Sequence, residues 1–317
     1  MRINSTIKGT PMTDENRPAD TEGDSPALST EKQDERDQQE IRDFIQREIK
    51  RIRSYTPKVG VFGVTGTGKS SLCNALFGRE IAPVSDVAAG TRDLQEVLLT
   101  DDEGGGLILV DVPGVGENRE RDEEYLELYR RLVPELDLVL WAIKADDRAY
   151  ASAVQAYQTA VKPHEGTCPV VFAVTQADKI EPCREWDERR RQPGARQKAN
   201  LEEKRQHIVR EFGLQGNHVV AVSAEEGYNM DLLISAIVSA LPNDKKASLV
   251  REAKEENVTI EAIAESEIGI LDYLSQQMNK VLFHAKEFLI EFATEAAKRY
   301  GSHVSKLIIA WLAKKRG

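Results

Sequence analysis

Eight consecutive residues, Gly63-Val64-Thr65-Gly66-Thr67-Gly68-Lys69-Ser70, carry the densest chemistry in this 317-residue chain. They lie between an apolar run and a helical pattern. Gly63 and Gly68 bracket a turn whose backbone N–H groups can curl round a β-phosphate, and the helix start adds its positive dipole. Lys69 is placed to reach the β- and γ-phosphates, and the Ser70 hydroxyl to bind Mg²⁺. The expected phosphate-binding set is Gly63, Thr65, Gly66, Thr67, Gly68, Lys69, Ser70 and Ser71.

Three further clusters follow in order. Leu107 to Val110 is an apolar run ending in Asp111, followed by Val112-Pro113-Gly114. A carboxylate at the end of such a strand can hold Mg²⁺ through water, and the Gly114 amide is then placed to feel the γ-phosphate. Alone, Asp-x-Pro-Gly is a common turn. Between this motif and the phosphate loop, Thr91 of Ala89-Gly90-Thr91-Arg92-Asp93 can close over the metal. Lys69, Thr91 and Gly114 are the expected catalytic residues, and Ser70, Thr91 and Asp111 the metal ligands. Thr175-Gln176-Ala177-Asp178 follows another apolar run. The Asp178 carboxylate there can accept two hydrogen bonds from the N1 and N2 edge of guanine, which adenine cannot offer. Val222-Ser223-Ala224 closes the last run, where the amides of Ser223 and Ala224 can meet the guanine O6.

In this order the motifs resemble the five signatures of Era-like GTPases, in the class that includes translation factors and Ras, across roughly residues 57–242. Within that class the chain resembles small bacterial and prophage-encoded GTPases with a 50S ribosome-binding-type domain. The resemblance implies GTP hydrolysis with Mg²⁺ as cofactor. The family's guanine motif is Asn-Lys-x-Asp, and here Thr175 and Gln176 replace its first two residues. Threonine keeps a hydroxyl for the phosphate loop, whereas Gln176 places no cationic stem over the base. Val115 stands where Ras has the glutamine that orients water. Gly66 takes the place of a loop asparagine that holds potassium in some members, and resembles the loops of GTPases activated by pairing their nucleotide sites. Slow unaided turnover is the expectation.

These motifs need a scaffold. Apolar runs at 58–64, 94–100, 107–112, 138–143, 170–175 and 219–223 alternate with helical patterns at 69–77, 118–132, 149–161, 195–212 and 229–241. Such alternation predicts an α/β fold with a mixed, mostly parallel six-stranded sheet covered by helices on both faces. The pair flanking Gly104 to Gly106 should be antiparallel. Residues 1–30 are rich in Pro, Gly, Ser and acids and are expected to be disordered. Ile41, Phe44, Ile45, Ile49 and Ile52 mark an amphipathic helix that Thr56-Pro57 ends. The expected organisation is a tail at 1–30, a helix at 31–56, a GTPase domain at 57–243 and a helical region at 244–317. In the last, Leu271, Leu274, Met278, Val281, Ala285, Phe288 and Phe292 form a short heptad seam, and Gly301-Ser302 a break.

The net charge of −10 argues against nucleic-acid binding through bulk charge. Cys73, Cys168 and Cys183 have no metal-like spacing and fit a reducing compartment. No run of 18 apolar residues is present, and residues 1–30 lack the apolar core of a signal peptide. A cytoplasmic protein is expected, with attachment at the inner face of the membrane as the alternative. The segment Glu185 to Arg191 reads as a solvated charged loop. The C-terminal helices admit three readings: a packed subdomain, a self-assembly arm, or a membrane-surface element using Ile308, Trp311 and Leu312. Candidate partners are GTP and GDP, a second copy through the nucleotide face or the C-terminal helices, and ribosomal RNA or a membrane surface. The competing functions are a nucleotide-controlled assembly protein and an ATPase.

Overall fold

Strands rich in Val, Leu and Ile on both faces need cover on both sides, and that requirement sets the architecture. The computed structural model describes residues 26–77, 95–100, 106–115, 119–214, 218–278 and 286–315. The chain divides into two units, residues 1–42 and 43–317. The described part of the first is helix from Pro26, with residues 36–40 exposed. This helix, α1 (Pro26–Arg53), begins ahead of the expected Glu31; a proline with φ already near the helical value suits a first helical position. The rest of the expected tail, residues 1–25, lies outside the described residues.

In the second unit the order is β1 (Lys58–Phe62), α2 (Lys69–Leu76), β2 (Gln95–Thr100), β3 (Gly106–Asp111), α3 (Arg119–Leu132), β4 (Leu138–Lys144), α4 (Ala151–Ala156), β5 (Val170–Thr175), α5 (Ala195–Phe212), β6 (Val219–Ala221) and α6 (Met230–Ala240). Then come α7 (Lys246–Glu252), α8 (Ile260–Gln277), α9 (Lys286–Tyr300) and α10 (Ser302–Lys315). The six strands lie in the order β2-β3-β1-β4-β5-β6. All pairs are parallel except β2 with β3, where Thr100 pairs with Gly106. The sequence order reverses on either side of β1, so the crevice at its carboxyl end is the switch point where such sheets bind ligands.

Alternation along β4 shows how both faces are filled. Leu138, Leu140 and Ala142 join Val61, Leu72 and Ile234 in one apolar layer, against α2 and α6. Val139, Trp141 and Ile143 point the other way, into a layer with Phe62, Tyr129, Tyr157, Phe172 and Phe212. Trp141 stacks on Phe172 with centroids 5.7 Å apart and meets Tyr157 edge-on. The helix expected over 149–161 is shorter: α4 gives way to a π turn at Tyr157–Val161 and a 3₁₀ turn at Lys162–His164. Pro163 lacks the N–H a longer helix would need.

The C-terminal region is helical as expected. The heptad seam is not one continuous helix, because α8 stops at Gln277. Leu271, Leu274, Met278 and Phe292 are buried, while Val281 and Ala285 lie outside the described residues. Gly301, at φ +89°, separates α9 from α10 as expected. Ile308 is buried and Trp311 and Leu312 are half-buried. Ile308 therefore packs inward, which leaves less apolar surface for the membrane-surface reading. Among the described residues no helix is long and apolar enough to cross a membrane.

Several polar contacts bind this region to the sheet and to α1. Arg251 donates to the carbonyls of Arg53, Tyr55 and Gly106. Asn257 and the Lys254 amide donate to the carbonyls of Ala75 and Leu76, which end α2. Glu267 is almost wholly buried and pairs with Arg53 at 2.9 Å. Burial outweighs that partner and holds the Glu267 carboxyl above its ordinary value of 4.5. A folded-state value above the unfolded one means that folding takes up a proton, so stability falls as the pH rises through that window. Glu267→Gln removes this dependence. Its melting temperature relative to the unmutated chain should climb as the pH rises above about 4.5 in thermal denaturation; a pH-independent difference would count against the assignment.

Candidate functional site

The phosphate loop leaves β1 in a conformation that glycine makes possible. Gly63, Gly66 and Gly68 have φ of +143°, +84° and +83°, a region side chains rarely adopt. With Gly68 as the helix cap and no side chain bonded there, the first amides of α2 stay open to a ligand. Four of the loop's carbonyls find donors, each from a different source. Lys69 Nζ donates to Gly63 O at 2.8 Å, and Thr67 Oγ1 to Val64 O at 2.9 Å. Gln176 Nε2 donates to Gly66 O at 3.1 Å, and Thr175 Oγ1 to Thr67 O at 2.6 Å. Thr67 is buried and its hydroxyl is used within the loop, whereas Thr65, Gly66, Ser70 and Ser71 are exposed.

Asp111, at the end of β3, pairs with β1 opposite Val61. Its half-exposed carboxylate lies 3.7 Å from Lys69 Nζ, so cation, carboxylate and loop share one mouth. Beyond it the backbone is held from both sides: Val112 N donates to Val61 O at 3.1 Å, and the buried Tyr129 hydroxyl donates to Pro113 O at 2.6 Å. Gly114 then presses on the phosphate loop. A Cβ there would stand 2.3 Å from Val64 N and 2.5 Å from Gly63 C, so only glycine fits. Val115 is 3% exposed and belongs to the aromatic layer; it turns into the core and presents nothing to solvent. Thr91 lies outside the described residues. Beside the loop, a cavity of about 400 Å³ is bounded by Val64, Thr65, Gly114, Asp147, Tyr150 and Ser152.

The expected base end is built on β5 and β6. Ala177 to Lys179 is a single 3₁₀ turn, entered through Gln176 at φ +57° and tied to β6 by Ala177 N donating to Val222 O at 3.0 Å. Asp178 is half-buried on this turn. Ser223 is wholly buried, and its amide already donates to Tyr228 O at 3.2 Å. Of the two expected amides, Ala224 N is therefore the one left for a base.

Two contributors escape a reading of motifs. Tyr129 sits in a charged helical pattern that gives no sign of a hydroxyl bonded to Pro113. Gln197, in the polar stretch of α5, is wholly buried, and its amide contacts Asp178 O, Ile180 O and Gly194 N. The charged segment before α5 keeps Arg189 to Arg191 exposed as expected, but Trp186 packs edge-on against Tyr228 at 5.5 Å.

Comparison with known proteins identifies relatives of the chain. The family model described as 50S ribosome-binding GTPase matches residues 58–176. The chain is 37% identical over 213 residues to the uncharacterized protein YfjP of Escherichia coli (strain K12), covering 66% of this chain and 71% of that one. It is 29% identical over 224 residues to GTPase Era of Thermoanaerobacter sp. (strain X514), covering 68% and 65% respectively. Among solved structures, Era in complex with MgGDPNP and nucleotides 1506–1542 of 16S ribosomal RNA aligns with a TM-score of 0.43 at 25% identity. That alignment covers 59% of this chain and 57% of the other, so the chain spans little more than half of that Era molecule.

The Thr175 bond is open to a volume-conserving test. Thr175→Val removes the donor and leaves the Thr67 carbonyl buried without it, at a cost of about 1–2 kcal/mol. Nucleotide affinity, read by isothermal titration, should fall about tenfold while the chain stays folded; unchanged affinity would show that the bond does not shape the loop.

Proposed function

The chain belongs to the 50S ribosome-binding GTPase family, and from that premise we propose that it hydrolyses GTP to GDP and phosphate as a regulatory switch that turns over slowly unaided. The burial of Val115 carries the second half of this reading. A buried valine has no group to orient an attacking water, and its neighbour Gly114 is wedged against Val64.

The residues in the mouth of the site suit the nucleotide and its metal. Lys69 sits between a loop carbonyl and Asp111, a position from which its ammonium can leave Gly63 O for a phosphate oxygen. The exposed Ser70 hydroxyl and the half-exposed Asp111 carboxylate offer two hard oxygen donors, the kind of set with which proteins hold Mg²⁺ beside phosphates. Mg²⁺ bound there would neutralise charge on the β- and γ-oxygens. The chain's own part is electrostatic: loop amides and Lys69 face the phosphates, and no reorganisation is needed as charge moves toward the leaving oxygen. Asp178 reads the base, and the amide of Ala224 faces its O6. Thr91 and Gly114 report the γ-phosphate, ordering in the GTP state and relaxing after hydrolysis.

Phosphate release under multiple turnover tests this. GTP should be consumed at about 10⁻⁴–10⁻² s⁻¹, with Lys69→Ala inactive and ATP competing far more weakly than GTP. Asp178→Asn should shift preference toward xanthine nucleotide, and no shift would sink the base assignment. Specific activity that climbs with protein concentration would instead favour self-association as the activating event.

A further inference from the structure

A base-reading carboxylate has to be aimed, and Asp178 is aimed only through its backbone. Among the described residues no hydrogen bond holds its carboxylate. The turn that bears it is one 3₁₀ turn long, entered through the left-handed Gln176. With glutamine spent on the Gly66 carbonyl, no cationic stem at this position helps to confine a base. Orientation has to come from elsewhere, and two residues between the turn and the body of α5 are placed to supply it.

Gln197 stands in the first turn of α5 and is 0% exposed. Its Nε2 donates to Asp178 O at 3.2 Å and to Ile180 O at 3.0 Å, and its Oε1 accepts from Gly194 N at 3.2 Å. Both amide hydrogens and the carbonyl are engaged, the condition under which a buried polar group rigidifies its surroundings. The Asp178 backbone is thus pinned to a long helix. A surface loop would be expected to move.

Trp186 does the corresponding work for the second base loop. Ser223 and Tyr228 exchange two backbone hydrogen bonds, of 3.2 and 2.9 Å, which close a loop around Ala224. The Trp186 ring meets the Tyr228 ring at 85° and 5.5 Å. Its indole N–H is buried without an acceptor among the described residues, so packing and no hydrogen bond of its own sets where this ring sits. The segment is braced by Glu185 with Arg196 at 2.5 Å, and by the Asp187–Gln192 bridge. The two base loops are joined by Lys179 and Glu225 at 3.0 Å, a pair too exposed to fix them alone.

We propose that Gln197 and Trp186 are positioning residues for base specificity, Gln197 by fixing the backbone of Asp178 and Trp186 by fixing the Ser223–Tyr228 loop. The inference rests on the GTP reading above. Neither residue touches the base; each acts through the loop that does.

The test is the ratio of ATP to GTP dissociation constants, measured by competition against a fluorescent nucleotide. Gln197→Met keeps volume and loses the hydrogen bonds, and Trp186→Ala loses the ring. Each should lower the ratio at least about tenfold, by the rule that an unmet polar contact drives discrimination, while ATP affinity stays as it was. Trp186→Phe should restore the ratio. A loss shared equally by GTP and ATP, or no loss, would overturn the proposal by showing a purely structural role. If the unmutated chain binds GTP and ATP alike, the GTP reading itself fails, which is a distinct result. Should Gln197→Met not fold, the emission assigned to Trp186 by difference from Trp186→Phe decides: a response to GDP and none to ADP supports the proposal, and equal responses overturn it.

Discussion

A backbone that aims its amide hydrogens at one point must aim its carbonyls away, and carbonyls turned into a protein need donors. Much of the nucleotide site follows from that constraint. The phosphate loop satisfies it with a lysine from its own helix, a threonine from its own turn, and the side chains of Thr175 and Gln176 from the end of β5. The last two tie the Ala177–Lys179 turn, proposed to read the base, to the loop, so the two proposed ends of the site are set by the same bonds. Gly114 adds a contact of another kind: its backbone lies where a methyl group would collide with Val64. Any movement of the segment after β3 is thereby passed to the loop by contact.

How far the sequence discloses this depends on whether a property is local. The loop's glycines, the apolar runs and the acid at the end of β3 each announce themselves within a few residues, and the six strands follow from alternation. Partnerships across the fold do not. Thr175 and Thr67 are far apart in the chain, and only the resemblance to the family carries the expectation that the Thr175 hydroxyl meets the phosphate loop. Gln176 looks like a loss when compared with a lysine, yet its amide does what a short donor can do at a nearby carbonyl. Gln197 is hidden by its setting among Arg, Lys, Glu and Asn, where polarity suggests solvent; only the fold shows that its helix face is turned inward. The heptad spacing across Leu271 to Phe292 is a pattern of burial and does not guarantee helix continuity, since α8 ends at Gln277.

Electrostatics divides along the same lines. Most of the ion pairs are exposed and contribute little, whereas Arg53 with Glu267 is sheltered and Arg251 serves three backbone carbonyls. Buried thiols behave similarly: burial pushes Cys73 and Cys168 up to about 12, so these two remain protonated and slow to react at neutral pH.

The bonds from Lys254 and Asn257 to the last carbonyls of α2 have a bearing on how such a chain can be inherited. Leu249 and Ala262, beyond Pro242, lie in the same apolar layer as Leu72 and Ile234. A recombination event that exchanged everything after Pro242 would have to bring a replacement asparagine, or its equivalent, and matching apolar side chains. The catalytic half of the chain is therefore not freely portable. It would be expected to drift in step with its tail, residue against residue, as two subunits of an obligate pair do.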